Sequence, residues 1–187
     1  MTNGIGHNGG PTLEGGHSWR KYSWTKARKA LMPTLPVEVV RLRVKRAAEL
    51  GLPYKTYAGV RAATGHDLIG FLFSSNALRL LRNETLDPCE QGKLIALKAD
   101  RTALVHRPLD PVSVMANDGI DSAVVAPPLI QSWGQTRTEL LSLVRQKKAS
   151  ADRFLVVGQG DLEREWLTAG GFAGFLSGDV FFDRQTA

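Results

Sequence analysis

The stretch FLVVGQGDLEREWLTA, residues 154–169, passes from a wholly apolar tetrapeptide through a glycine turn into a segment with helical spacing. A short apolar run bounded by turn residues suits a strand covered on both faces, and a helix following at once is the connection that parallel strands require. The pattern recurs along the chain. Residues 68–73, 103–105, 123–126 and 180–182 read as further strands, and 136–148 as a second helix beside 161–169. This alternation predicts an α/β fold, a small and mostly parallel sheet flanked by helices. Residues 76–102 read in two ways: Asp87-Pro88-Cys89-Glu90 resembles a capped helix start, whereas 94–106 suits a hairpin.

Upstream of this region the character changes. Residues 1–65 hold 11 Lys/Arg and 3 Asp/Glu, while residues 66–187 hold 13 and 15, so the whole positive surplus lies in the first third. Such an asymmetry is the electrostatic footprint expected for a polyanionic partner. No apolar run approaches the roughly 20 residues that span a bilayer, and the first residues lack the order of a signal peptide. The expectation is a cytoplasmic protein without a membrane partner. Cys89 is the single cysteine, which excludes an internal disulfide and a multi-cysteine metal site. No metal and no cofactor are expected.

Three segments follow from composition: a flexible tail at 1–17, a basic helical segment at 18–65, and the α/β domain at 66–187. The tail is rich in glycine and nearly free of apolar residues, so burial cannot repay its ordering entropy. Its string Ile5-Gly6-His7-Asn8-Gly9-Gly10-Pro11 resembles the openings of small alphaproteobacterial and phage-associated proteins, which implies no function. Between residues 19 and 29, Trp19, Tyr22 and Trp24 interleave with five cations, a pattern that lets aromatic rings stack on bases while the cations hold phosphates. Pro36 and Glu38 then open a helix, with Val37, Val40, Val44, Ala47 and Ala48 expected as its apolar stripe. Gly51 ends it, and a second helix is expected over 54–63.

This pair has the parts of a helix-turn-helix. Ala47 is the small crossing residue, Gly51 the turn, and Leu50, Leu52, Tyr57 and Val60 the packing residues. The run Ala48-Glu49-Leu50-Gly51-Leu52-Pro53-Tyr54-Lys55-Thr56-Tyr57 resembles Lac-repressor-type DNA-binding modules, the likeness covering residues 43–63. It implies that 54–63 is a recognition helix, with Lys55, Thr56 and Arg61 near the bases and Arg41, Lys45 and Arg46 supporting on the backbone. Arg46 departs from the pattern, which has an apolar residue at that place. The expected function is therefore nucleic-acid binding, DNA before RNA, in a regulatory protein that acts as a homodimer.

The α/β half supplies a competing expectation. In open α/β sheets ligands bind beyond the carboxyl ends of the strands. That rule selects Ser74, Ser75 and Asn76, then His106 and Arg107, then Gly158, Gly160 and Asp161. Together they suit a small enzyme or ligand-binding domain for a nucleotide or phosphorylated metabolite, with Arg107 holding an anion and the glycine turn cradling a phosphate. Glu163 stands where a dinucleotide fingerprint has glycine, and no nucleophile elbow surrounds either serine, so no catalytic residue is assigned. A third expectation is a docking surface formed by Pro127-Pro128 and Gly170-Gly171-Phe172.

Overall fold

Apolar residues alternate their direction along each strand, and this alternation sorts the core onto two faces of one sheet. The computed structural model describes residues 22, 26, 35–80, 84–128 and 130–184. The tail at 1–17 and most of the aromatic and basic stretch at 19–29 lie outside them. The elements in order are α1 (Val37–Glu49), α2 (Tyr54–Thr64), β1 (Gly70–Ser74), α3 (Pro88–Ala96), β2 (Asp100–Val105), α4 (Pro111–Met115), β3 (Ser122–Val125), α5 (Trp133–Gln146), β4 (Phe154–Gly158), α6 (Asp161–Gly170), β5 (Gly174–Ser177) and α7 (Gly178–Phe181). The strands form a single sheet in the order β3-β2-β1-β4-β5, and every pairing is parallel. The α/β expectation holds.

β1 and β4 are the central pair, in register from Gly70 opposite Phe154 to Phe73 opposite Val157, and every residue of both strands is buried. Phe71, Phe73, Ala103, Val105, Leu155 and Val157 point to one face, where they share a core with residues of α1–α4 and α7. Leu72, Leu104, Phe154 and Val156 point to the other, against Leu140 and Val144 of α5 and Trp166 and Ala169 of α6. The chain moves outward through β2 and β3, then crosses back beyond β1 to β4. That reversal makes the β1–β4 boundary a switch point, with its crevice at the carboxyl ends of the strands.

Several expectations are corrected. Residues 180–182 belong to helical turn α7 and its end, because the Ser177 hydroxyl accepts the Val180 N–H at 3.3 Å and starts a helix there. The fifth strand is β5, whose glycine-spaced sequence hides a strand pattern; a Cβ on Gly174 would press on Leu155 Cδ1 at 3.0 Å. Of the two readings of 76–102, the helix is right. Asp87 caps it by accepting the Cys89 N–H at 2.8 Å, and Thr102 pairs in parallel with Leu72 rather than in a hairpin. The short α4 carries too few residues for a period to show. Phe172 is buried against the α5–α6 face, so that part of the expected docking surface is interior.

The helix pair forms as expected around its turn. Gly51 takes φ +62°, the left-handed conformation glycine tolerates best, and Ala47, Leu50, Leu52 and Tyr57 are buried. The apolar stripe holds only in part: Ala47 is buried and Val40 half-buried, while Val37, Val44 and Ala48 are exposed. Ala47, Leu50, Leu52 and Tyr57 pack into the same core as Phe71 and Phe73. The described residues from Arg41 onward belong to one compact unit.

Candidate functional site

At the switch point the end of β1, the end of β2 and the first turn of α6 meet on one carboxylate. Glu163 is the third residue of α6, a position from which a glutamate commonly reaches back to the backbone N–H groups before its helix. Here it does so from inside the protein, with 2% of its surface exposed. Oε2 accepts the Gln159 N–H at 2.5 Å and the Ser74 hydroxyl at 2.8 Å, with the Gly160 N–H at 3.5 Å. Oε1 takes the Asn76 amide and His106 Nε2, each at 2.8 Å. Burial alone raises the carboxyl's pKa, but the bonds from His106, Gln159, Ser74 and Asn76 outweigh it and hold the group below its ordinary range.

Because an ionised carboxylate only accepts hydrogen bonds, Nε2 of His106 is the donor in this pair. The ring lies against Trp166 with centroids 5.5 Å apart and planes at 27°. Its backbone N–H donates to Ser75 Oγ at 3.1 Å, which fixes the end of β2 to the turn after β1. No described residue bonds Nδ1, and 16% of the His106 side chain is exposed. The arrangement is an imidazole aimed by a buried anion, with its second ring nitrogen unbonded among the described residues. Such a group can take a proton from a substrate or from water.

The strand-end residues divide clearly. Ser74, Asn76 and His106 bond Glu163 directly, Ser75 holds His106, and Gly158 makes room for the carboxylate. Arg107 is exposed, and the side chain of Asp161 is fully exposed and turned away from the cluster. The phosphate cradle expected at Gly158 and Gly160 is corrected: Glu163 already takes the N–H groups of Gln159 and Gly160. Glu163 itself is not selected by the strand-end rule. The available signal was its place, an acid at the third position of a helix that follows an apolar strand and a glycine turn.

The residues selected for nucleic acid also divide. Arg41, Lys45 and Lys55 are exposed and Thr56 is half-buried. Arg46 is taken up by the fold: Nε donates to Asp67 Oδ2 at 2.9 Å, and Nη2 and Nη1 reach the carbonyls of Leu68 and Lys98. Arg61 lies 3.7 Å from Asp67 Oδ1, which also accepts the Tyr57 hydroxyl at 2.7 Å. That staple between helix pair and sheet explains the cation at residue 46 where the resemblance has an apolar residue.

Among the described residues no group of His, Cys, Asp and Glu could hold a metal ion, and no helix is long and apolar enough to cross a membrane. No family model matches the chain, and no curated protein or solved structure matches it.

Proposed function

We propose that the chain is a small α/β enzyme that acts on a small anionic molecule at the carboxyl edge of its sheet, with His106 as the acid–base group and Glu163 as the residue that positions it. The observation that carries this reading is the convergence of Ser74, Asn76 and His106 on a buried carboxylate, with the second ring nitrogen of His106 unbonded among the described residues. An anionic substrate is favoured by Arg107, the next residue, which has no partner among the described residues. A pooled set of anionic metabolites incubated with the protein tests it. The wild type should deplete at least one compound, and His106→Gln should slow that depletion by roughly a hundred-fold, the usual size of a general-base contribution. A pool left unchanged by the wild type, or depleted equally by both proteins, would sink the reading.

A second reading rests on a separate observation, the basic surplus of residues 1–65 together with the exposure of Lys45 and Lys55 on the helix pair. It assigns nucleic acid, DNA before RNA, as a partner, with Arg41 and Thr56 alongside. Binding should weaken steeply with salt, and Lys45→Glu with Lys55→Glu should reduce it several-fold. Binding that ignores both salt and these substitutions would remove it.

A further inference from the structure

A hollow of about 440 Å³ opens at the carboxyl end of β3, between that strand and α5. Its size is in the range of small-molecule sites. Val124, Ala126, Pro128 and Leu143 make its walls largely apolar, and Arg107 lines it as its cation. Arg107 has no hydrogen bond or ion pair among the described residues, although it directly follows His106. The hollow lies on the α5–α6 side of the sheet, the side to which His106 turns against Trp166.

Three features limit what fits. Gln159 and Gly160 have given their N–H groups to Glu163, so the glycine turn nearest His106 offers neither of these donors to a ligand. Arg107 is therefore the place for a ligand's acid group. Glu139 also lines the hollow, with its Oε2 held by Gln131 Nε2 at 3.1 Å, and it repels a second negative charge. The planar fork of a single Arg matches one carboxylate.

We propose that this hollow binds a monocarboxylate with an apolar body, its acid group on Arg107 and its body against Val124, Ala126 and Leu143. Calling that molecule a substrate rests on the acid–base reading of His106; the binding itself does not.

The test is calorimetric titration of the whole chain with 4-phenylbutyrate, with 4-phenylbutanol and inorganic phosphate as comparisons. 4-Phenylbutyrate should bind saturably, and phosphate should not. Arg107→Gln should weaken binding about ten-fold or more, as losing one charge-assisted pair does. Ser142→Trp, at an exposed α5 position lining the hollow, should block it. No saturable binding, equal affinity in Arg107→Gln, equal affinity for the uncharged alcohol, or displacement by phosphate each overturns the proposal. If 4-phenylbutyrate binds through Arg107 while metabolite depletion survives His106→Gln, the hollow stands and the acid–base reading fails.

Discussion

A Cβ on Gly158 would stand 2.8 Å from Oε2 of Glu163, and 2.7 Å from the ring of Phe175. The glycine turn after β4 is thus shaped around a carboxylate that the chain itself supplies. Gly158→Ala should push Glu163 out of its bonding position or displace Phe175, at a cost of about 1–3 kcal/mol. A urea midpoint equal to that of the wild type would show that the room exists after all.

Glu163 gives the site a signature in pH. Its pKa is lowered on folding, so its contribution to stability is full above the ordinary value of 4.5 and is lost as pH falls through the lower folded value. Glu163→Gln puts an amide in a place surrounded by donors and should cost about 2 kcal/mol near neutrality. The gap between the two unfolding curves should narrow in acid. Asp121, lowered chiefly by its hydrogen bonds from Arg101, titrates alike in both proteins and cancels. A gap independent of pH would contradict the assignment of Glu163 as ionised.

Asp67→Asn separates architecture from nucleic-acid binding. It weakens the tie to Arg46, Tyr57 and Arg61, and a loss of about 1–3 kcal/mol is expected in thermal or urea unfolding. On the second functional reading it also removes a negative charge beside Arg46 and Arg61, so DNA affinity at low salt should rise and its salt slope should steepen. Unaltered slope and affinity would restrict the role of these cations to the fold.

Gly51→Ala tests the turn between α1 and α2. An alanine would have to hold φ +62°, and its Cβ would meet Leu97 Cδ2 at 2.8 Å. The expected cost is about 1–2 kcal/mol from the left-handed backbone, before the contact is counted. Full wild-type stability would mean that the turn can adopt another conformation.

What was legible in the chain follows from how local each signal is. The run from Phe154 to Val157 and the glycine turn after it carry their own fold assignment, as does Gly51, because strand burial and left-handed turns are decided within a few residues, whereas the Asp87 cap leaves a hairpin open as an alternative. β5 was missed since Gly174-Phe175-Leu176-Ser177 owes its place to pairing with β4, which leaves no mark on its own period. The strand-end rule found Ser74, Asn76 and His106, but their common partner escaped it. Glu163 on an amphipathic helix looks like any exposed acid in a first turn, and only the tertiary fold turns it inward. For Arg46 and Arg61 the failure ran the other way: charge was visible in the sequence, while its neutralisation by Asp67 was not.

The order of the strands also has a consequence for the growing chain. β1 pairs with β2 on one side, but its other edge waits for β4, which begins at residue 154. Until then a ribosome-bound chain carries Gly70-Phe71-Leu72-Phe73 with one edge unpaired, and the donors Ser74, Asn76 and His106 lack their acceptor. Such an edge is a template for joining neighbouring chains. Stalled or clipped fragments ending before β4 should therefore clump during biosynthesis, and protection of this edge by a chaperone would matter most in the interval before β4 emerges.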